Sequence, residues 1–395
     1  MTWAARVLRL TMCTATLCLG LPFLSTPLSS LEDHTRQRRS RRWRWQPEPS
    51  SSGGSGVAAS SSNASDLFRF AFVSDTHFWP RSVERHAFTS RSDAQPIRDG
   101  LLVAHSPETF EALLGDLRSF AASGGAFAVH AGDIACGGAS FKASGAEFEA
   151  QLRSAARAER SALPVGWPVH HMPGNHDLHP VVGGLDVWWR VFGDGRELDG
   201  DGARYYSLQR DGWRLVLMDS ASGVRIDTDG HGHVGHEQLE WLDAQLAAAA
   251  VEDEQVILII HQLLVVPTDV AGRPHRWFVP QYDLVSNAHD VLSVLKRHAP
   301  IVRLVLHGHV HANSLTMRQG VAFVTTSSAS EYPMMWREIA VRRCEVEMSS
   351  HALALPTLLE KSAQRDTRGV NDVKKGDARE NHLVVQSRAR KCTQR

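Results

Sequence analysis

Residues 301–311 read Ile-Val-Arg-Leu-Val-Leu-His-Gly-His-Val-His. The apolar run at the start of this segment predicts a buried strand, and Gly308 after it permits a tight turn. Two histidines follow the turn, His309 and His311, separated by a single valine. Imidazole is a common ligand of zinc and iron, so this strand ending is a candidate metal site.

Four segments upstream share this arrangement, because each places a possible metal ligand just after an apolar stretch. The segments are Asp75-Thr76-His77, Gly132-Asp133, Gly174-Asn175-His176-Asp177 and His261. The strands predicted before them are Phe68 to Val73, Phe127 to Ala131, Val169 to Met172 and Val256 to Ile260. Loops that follow strands converge at one edge of an α/β sheet, so we expect these side chains to lie together.

The rest of the central region alternates helices with strands. Phe110, Leu113 and Leu117 have helical spacing, and Asn287 to His298 predicts another helix. Further strands are predicted at Tyr205 to Leu208, Trp213 to Met218, Val321 to Thr325 and Glu338 to Val341. This order predicts an α/β body with mixed sheets.

Charge is unevenly distributed along the chain. Residues 1–65 and 356–395 together hold eighteen of the 43 basic and eight of the 43 acidic residues, so residues 66–355 carry a net charge of about −10. An acidic body disfavours nucleic acid as the main partner. We therefore predict a catalytic domain over residues 66–355 and a disordered basic tail over residues 356–395.

The N-terminal segment resembles a targeting sequence. Arg6 and Arg9 precede a mostly apolar run from Leu10 to Leu24, which is short for a membrane span. We predict a signal peptide or N-terminal anchor over residues 1–30, with an organellar transit peptide as the third alternative. Residues 31–65 are basic and rich in serine and glycine, so they predict a disordered linker.

Cysteine is sparse outside the targeting segment. Only Cys136, Cys344 and Cys392 remain, which predicts no disulfide framework. The expected location is the secretory pathway, a periplasm-like compartment or the exterior, with membrane anchoring or an organelle as alternatives. No further stretch is apolar enough to predict a stable membrane span in the mature domain.

The ordered series Asp-x-His, Gly-Asp, Gly-Asn-His-Asp, His and Gly-His-x-His resembles the calcineurin-like metallophosphoesterase superfamily. The similarity covers roughly residues 68–345. It implies a sandwich of two mixed β-sheets flanked by helices, with a dimetal site at the C-terminal edge of the strands. It also implies hydrolysis of a phosphomonoester or phosphodiester by a hydroxide shared between two metal ions.

The resemblance assigns the metal ligands motif by motif. The first ligand set would be Asp75, His77 and His311. The second ligand set would be Asn175, His261 and His309. The ions implied by this mixture of imidazole and oxygen ligands are divalent or mixed-valence Mn, Fe or Zn.

Three further roles follow from the same resemblance. Asp133 would bridge the two ions, a geometry that activates water and clamps phosphoryl oxygens. His176 would be the catalytic histidine, and Asp177 would orient its imidazole.

Departures from the family pattern narrow the choice of branch within the superfamily. Phosphoprotein phosphatases have an arginine shortly after the Gly-Asp motif, and purple acid phosphatases have a tyrosine where this chain has Cys136. Gln238-x-x-Trp241-Leu242 and Asn287-Ala288 are similar to class III cyclic-nucleotide phosphodiesterases and their relatives. A cyclic-nucleotide phosphodiesterase is therefore the specific alternative within the general phosphoesterase prediction.

A non-catalytic binding protein on the same fold is the alternative from another class. The complete ligand set counts against it, because a pseudo-enzyme usually loses ligands. The predicted partner is a small-molecule phosphate ester, and no nucleic acid partner is expected.

Overall fold

The computed structural model describes residues 66–81, 102–137, 144–178, 186–193, 204–221, 232–366, 369–387 and 392 of the 395-residue chain. The predicted targeting segment at 1–30 and the linker at 31–65 lie outside these residues. Within the described ranges, no helix combines the length and apolar character needed to cross a bilayer.

The described strands are β1 (Phe68–Val73), β2 (Phe127–His130), β3 (Val169–His171), β4 (Tyr206–Arg210), β5 (Trp213–Met218), β6 (Gln255–Ile260), β7 (Val302–His307), β8 (Ser314–Arg318), β9 (Val321–Thr325), β10 (Met335–Val341), β11 (Glu345–Ala352) and β12 (His382–Gln386). The described helices are α1 (Ser106–Ala122), α2 (Gly145–Ala162), α3 (Asp186–Phe192), α4 (His236–Val251), α5 (Pro280–Asp283), α6 (Ala288–Arg297), α7 (Pro356–Ala363), α8 (Asn371–Lys374) and α9 (Ala378–Asn381).

The strands form two mixed sheets, which confirms the predicted fold class. One sheet has the order β12-β11-β10-β1-β2-β3, with β1, β2 and β3 parallel and β10 to β12 antiparallel. The other has the order β4-β5-β6-β7-β9-β8, with a parallel centre and antiparallel strands at both edges.

The two sheets pack face to face, and helices cover their outer faces. Phe70 and Phe72 of β1 share a core with Leu215 of β5, whereas the intervening Ala71 packs toward Leu113 of α1. Successive side chains of a strand point to opposite faces, so each central strand serves two cores. Both faces are therefore apolar, which explains why these strands read as continuous hydrophobic runs.

Helix α2 was not predicted from the sequence, because its buried face carries a weak apolar signal. That face combines Phe148 and Leu152 with alanines and with the polar residues Gln151 and Glu159. Its start is well defined, since Ser144 accepts a hydrogen bond from the Glu147 amide in a capping box.

The prediction that residues 356–395 form a disordered tail is wrong for residues 356–366 and 369–387. This C-terminal segment forms α7, α8, α9 and β12, and β12 pairs antiparallel with β11 through residues such as Val385. The segment is polar overall, but Val370, Val385 and Lys374 are buried. Backbone pairing at a sheet edge needs few apolar side chains, so composition did not reveal it.

The prediction of no disulfide framework is wrong for two cysteines. Cys344, between β10 and β11, is bonded to Cys392 across a sequence separation of 48 residues. Sequence alone does not determine which cysteines pair. Cys136 is a free, buried thiol.

Candidate metal centre

The predicted ligand segments lie at the carboxyl ends of strands from both sheets. The sheet that contains β1 supplies the segments after β1, β2 and β3, and the sheet that contains β5 supplies those after β6 and β7. Three groups have ligand atoms within 4.8 Å of one another: Asp75, His77 and His311; His77, Asp133 and His176; and Asp133, His261 and His309. The structure therefore brings together seven of the predicted site residues: Asp75, His77, Asp133, His176, His261, His309 and His311.

Two motif glycines are required by the close approach of these loops. A Cβ atom on Gly174 would lie 2.2 Å from Asp133 Oδ1, and one on Gly308 would lie 1.9 Å from Ser74 Oγ. Real Cβ atoms do not approach neighbours this closely, so any larger residue would force the loops apart. The glycines thus permit the ligands after β1, β2, β3 and β7 to share one small volume.

Atoms of the first ligand set converge on a single point. The Nε2 atoms of His77 and His311 are 2.9 Å apart. Asp75 Oδ1 lies 3.9 Å from the first of these nitrogens and 3.4 Å from the second. The other oxygen of Asp75 accepts a 2.9 Å hydrogen bond from the His309 amide, which ties the loop after β1 to the loop after β7.

Asp133 lies between the two ligand sets. Its Oδ2 atom is 3.8 Å from His77 Nε2 and 3.3 Å from His261 Nε2. Its Oδ1 atom accepts a 2.8 Å hydrogen bond from the His176 amide, which fixes the turn that contains Asn175. One carboxylate oxygen thus faces a histidine of each set, the geometry expected of a bridging ligand.

Backbone hydrogen bonds orient the histidines of the second set. His261 Nδ1 donates to the Ala131 carbonyl at 2.7 Å, so its Nε2 faces Asp133. His309 Nε2 donates to the Tyr282 carbonyl at 2.9 Å, which leaves Nδ1 as its ligand atom. Such partners set which nitrogen is available to a metal.

Five of the seven predicted ligands have left-handed backbone conformations. The φ angles are 57° at Asp75, 42° at His77, 53° at Asp133, 70° at His309 and 53° at His311. Each such residue costs on the order of 1–3 kcal/mol unless surrounding contacts hold it. Strain of this kind is typical of functional sites, and here it coincides with the ligand residues.

The carboxylates of the site are ionised at neutral pH. Burial alone would raise the pKa of Asp75, but the neighbouring imidazole of His311 lowers it. Burial likewise opposes ionisation of Asp133, whose pKa is nevertheless held well below its usual range by His261 and His176. The site therefore concentrates negative charge in a buried volume.

Each ligand set contains one imidazole with a raised pKa and one with a lowered pKa. Burial disfavours the charged form of His311, but the carboxylates of Glu331 and Asp75 raise its pKa to about 10. Burial and the nearby imidazoles hold the pKa of His77 well below its usual range.

The second set shows the same pairing. Against the effect of burial, Asp133 raises the pKa of His261 to about 9. Burial and the charge of His261 lower the pKa of His309 to about 4. Without an ion, the site thus retains protons where it concentrates negative charge, which is the behaviour of a cation site.

The unsatisfied atoms of the site fit two metal ions. Asp75 Oδ1, Asn175 Oδ1 and His309 Nδ1 are buried and make no hydrogen bond. Leaving such atoms unpaired costs about 1–3 kcal/mol each, so their common location indicates a missing partner. Carboxylate, amide oxygen and imidazole together suit Mn, Fe or Zn.

His176 lies beside the first ligand set rather than within it. Its ring is perpendicular to that of His77, with the ring centroids 4.7 Å apart. Its amide is bonded to Asp133, so the position of the side chain depends on the proposed bridging ligand.

The prediction that Asp177 orients the His176 imidazole is wrong. The buried Asp177 carboxylate accepts hydrogen bonds from the amides of Ile134, Ala135 and Gly174 at 3.0–3.2 Å. It therefore holds the loop after β2 against the turn after β3. Burial, followed by the charge of Asp133, raises the Asp177 pKa to about 7.

Sequence reasoning missed Glu331, whose side chain contacts a predicted ligand. Glu331 Oε2 accepts a hydrogen bond from His311 Nδ1 at 2.5 Å. Glu331 follows His311 by twenty residues and lies outside every motif, so no spacing rule singled it out.

The family model for calcineurin-like phosphoesterases matches residues 68–313, more than half of the chain. The chain therefore belongs to this family, a class of hydrolases that act on phosphate esters, and the resemblance seen in the motifs is confirmed.

Two curated bacterial proteins are similar in sequence. A probable cyclic nucleotide phosphodiesterase of Psychrobacter is 27% identical over 169 residues, which cover 41% of this chain and 43% of that protein. A 3′,5′-cyclic-nucleotide phosphodiesterase of Nostoc is 24% identical over 157 residues, which cover 40% of this chain and 49% of that protein. The match thus spans less than half the length of each relative.

A solved structure supports the fold. The crystal structure of a dimetal phosphatase from Danio rerio is similar with a TM-score of 0.55 and 17% sequence identity. The similarity covers 82% of this chain and 99% of that one.

Proposed function

We propose that this protein is a metal-dependent phosphoesterase in which Asp133 bridges two ions. The first ligand set would hold one ion and the second ligand set the other. The observation that carries the proposal is Asp133 Oδ2, which faces His77 Nε2 at 3.8 Å and His261 Nε2 at 3.3 Å. When bound, the ion pair supplies an activated water and neutralises phosphoryl charge.

The chain's own residues position and protonate the substrate. The imidazole of His176 stands beside His77 at the margin of the ligand cluster, where it can donate a proton to the leaving oxygen. Asp177 acts on the scaffold, because its three amide hydrogen bonds hold together the loops that carry Asp133 and His176. The hydrogen bond that the His309 amide donates to Asp75 does the same for the loops after β1 and β7.

The finer proposal is that the substrate is a phosphodiester of the cyclic-nucleotide kind. The names of the two bacterial relatives support it. Gln238 and Asn287, two residues of the class III resemblance, also support it. They hold Asp219, which follows β5, and Val234, which precedes α4. Gln238 bonds both the amide and the carbonyl of Asp219, and Asn287 bonds both backbone groups of Val234.

A hydrolysis panel tests both levels of the proposal. Purified full-length protein, metal-free and then loaded with Mn, Fe or Zn, is given an aryl phosphate, a bis-aryl phosphate and 3′,5′-cyclic AMP. Metal-dependent cleavage of the cyclic nucleotide that is lost in Asp133→Asn would support the finer proposal. Cleavage of aryl phosphate alone would replace it with a monoesterase, and no cleavage with any ion would overturn the phosphoesterase proposal.

We further propose that residues 1–30 direct the chain into a secretory or periplasm-like compartment. The disulfide between Cys344 and Cys392 supports this, because disulfides form and persist in oxidising compartments. Residues 1–65 fused to a reporter should carry it out of the cytosol. A cytosolic reporter with an intact N-terminus would contradict the proposal, and an uncleaved, membrane-bound reporter would replace the signal peptide with an anchor.

A further inference from the structure

A lysine of the C-terminal segment is buried behind the first ligand set. Lys374, the last residue of α8, is 1% exposed, and its ammonium donates a hydrogen bond to Glu331 Oε1. Glu331 is itself 2% exposed. Lysine is almost never fully buried without a charged partner, because desolvation of an ammonium costs several kcal/mol. The burial of this pair therefore requires an explanation from its surroundings.

The carboxylate of Glu331 connects this lysine to a predicted metal ligand. One oxygen accepts from Lys374 and the other accepts from Nδ1 of His311. Nε2 of His311 then faces the ligand cluster, 3.4 Å from Asp75 Oδ1. A carboxylate opposite a ligating histidine fixes its tautomer and ring orientation and increases its basicity.

The backbone around Lys374 is attached directly to the loop that carries His311. The amide of Asn313 donates to the Lys374 carbonyl at 2.8 Å, and its side-chain amide donates to the Lys375 carbonyl at 3.1 Å. A Cβ atom on Gly376 would lie 2.9 Å from Asn313 Cβ, so the two chains are in close contact. The position of the lysine is thus set by a residue two places after His311.

Arg337 provides a second attachment of the same segment. Its buried guanidinium donates to Asn313 Oδ1 at 3.0 Å and to the Glu380 carbonyl of α9 at 2.8 Å. The C-terminal segment is therefore attached to Asn313 in two ways. Lys374 and Lys375 bond to it directly, and Glu380 is linked to it through Arg337. The matched family region ends at residue 313, so this segment lies outside that region.

We propose that Lys374 is a positioning residue of the metal centre, acting through Glu331 on His311. The lysine holds the Glu331 carboxylate directed at His311 in a buried setting, and Glu331 holds His311 Nε2 toward the first ion. The C-terminal segment is then a working part of the first ion site. Among its described residues, none bonds to a histidine of the second ligand set. This inference rests on the proposed function for its two ions.

The test measures ion binding directly. Metal-free full-length protein is titrated with Mn²⁺ by calorimetry as wild type and as Lys374→Met, an unbranched side chain that is one atom shorter and carries no charge. We expect one of the two binding steps to weaken by about 10–100-fold and the other to be unchanged. A folded Lys374→Met protein with two wild-type binding steps would overturn the proposal.

Arg214→Met is the matched control. Arg214 is also a buried cation, 2.7 Å from Glu254, but it lies at the opposite, amino-terminal end of β5 from the ligand edge. This variant should lower the melting temperature while both Mn²⁺ steps stay at wild-type affinity. Equal weakening of a binding step in Arg214→Met would show that general destabilisation causes the effect, and it would overturn the proposal.

Glu331→Gln supplies a second variant in case Lys374→Met does not fold. It keeps the shape of the side chain and should weaken the same single step, whereas equal weakening of both steps would overturn the proposal. Selective weakening in a protein that hydrolyses no ester would retain the role of Lys374 and reject only the proposed activity. Active protein with unchanged ion binding in both variants would reject only the role of Lys374.

Discussion

The two ligand sets differ in what stands behind their histidines. His311 of the first set is backed by the Glu331 carboxylate, which is itself paired with a buried lysine. The histidines of the second set, His261 and His309, are backed by the backbone carbonyls of Ala131 and Tyr282. A histidine that donates a hydrogen bond to a carboxylate is a more basic metal ligand than one that donates to a backbone carbonyl. The first site should therefore bind its ion more tightly.

The two kinds of hydrogen-bond partner behind the histidines also make different demands on the sequence. A backbone carbonyl is available at every residue, so the second set needs only the correct loop geometry. A carboxylate buried behind the first set needs a specific acidic residue and a cation to pair with it. The first site therefore depends on the C-terminal segment, and the second site depends on the loops of the common fold.

The largest effect is expected from a substitution that prevents both sites from binding their ions. Asp133→Asn should lose both ions, because the carboxylate oxygen between His77 and His261 becomes part of a neutral amide. Metal content by mass spectrometry and hydrolysis of the preferred ester measure the result. Asp243→Asn, on the exposed surface of α4, is the control. Retention of one ion in Asp133→Asn would exclude the bridging role.

Loss of a single ion separates the two sites. His77→Ala should abolish the tighter Mn²⁺ step and His261→Ala the weaker step, because each removes a ligand of one set. Calorimetric titration of the two metal-free variants measures this. Loss of the same step in both variants would show that the sets are not independent sites.

Replacement of His176 should leave both ions in place. His176→Ala is expected to reduce kcat by about 10²–10⁴-fold, the usual contribution of a general acid or base. The reduction should be smaller for esters with good leaving groups, which need no proton. His289→Ala, on the exposed face of α6, is the control. An unchanged kcat on an ester with a poor leaving group would exclude the role.

The smallest effect is on the stability of the metal-free protein. His311 and His261, with pKa values raised to about 10 and about 9, stabilise the fold while they are protonated. This stabilisation is complete below the unfolded-state pKa of about 6.5 and is lost as pH rises through about 9 to 10. The pKa of His309 is lowered to about 4, so protonation of this residue destabilises the fold, and it does so only below about pH 6.5.

The melting temperature of metal-free protein should therefore fall between pH 7 and pH 10. Ion binding needs deprotonated imidazole, so at pH 7 it should release about two protons, one from each set. Differential scanning fluorimetry with a chelator measures the first effect, and calorimetry in two buffers of different ionisation enthalpy measures the second. A melting temperature that rises over this range, or ion binding without proton release, would contradict the assignment of one protonated imidazole to each set.

Much of the fold and nearly all of the ligand cluster were predictable from short stretches of sequence. The predicted strand at Trp213 to Met218 has the bounds of β5, which a turn at Asp211-Gly212 joins to β4. The strong signal comes from central strands that are buried on both faces and therefore continuously apolar. Six of the seven predicted ligands were predictable for a related reason, since each follows such a strand within a few residues. The seventh, Asn175, follows the partly buried edge strand β3.

The role of Asp177 shows where this reasoning stops. Its place in the motif suggested a contact with the adjacent imidazole, but its partners are backbone amides. Two of the three, those of Ile134 and Ala135, lie more than forty residues earlier. A position in a motif specifies that a side chain is near the site, and packing of the loops decides which group it reaches.

The sequence by itself determined that this chain is an α/β protein with candidate metal-ligating side chains at strand ends, because apolar periodicity and strand endings are local properties. The division of these side chains into two ligand sets came from the family resemblance. Tertiary structure alone decided that β12 joins the first sheet, that Cys344 pairs with Cys392, and that Lys374 reaches Glu331 behind His311. These contacts join residues far apart in the chain, and the backbone pairing of an edge strand carries little side-chain signal. A buried ion pair is likewise invisible until folding places both charges in the same dry volume.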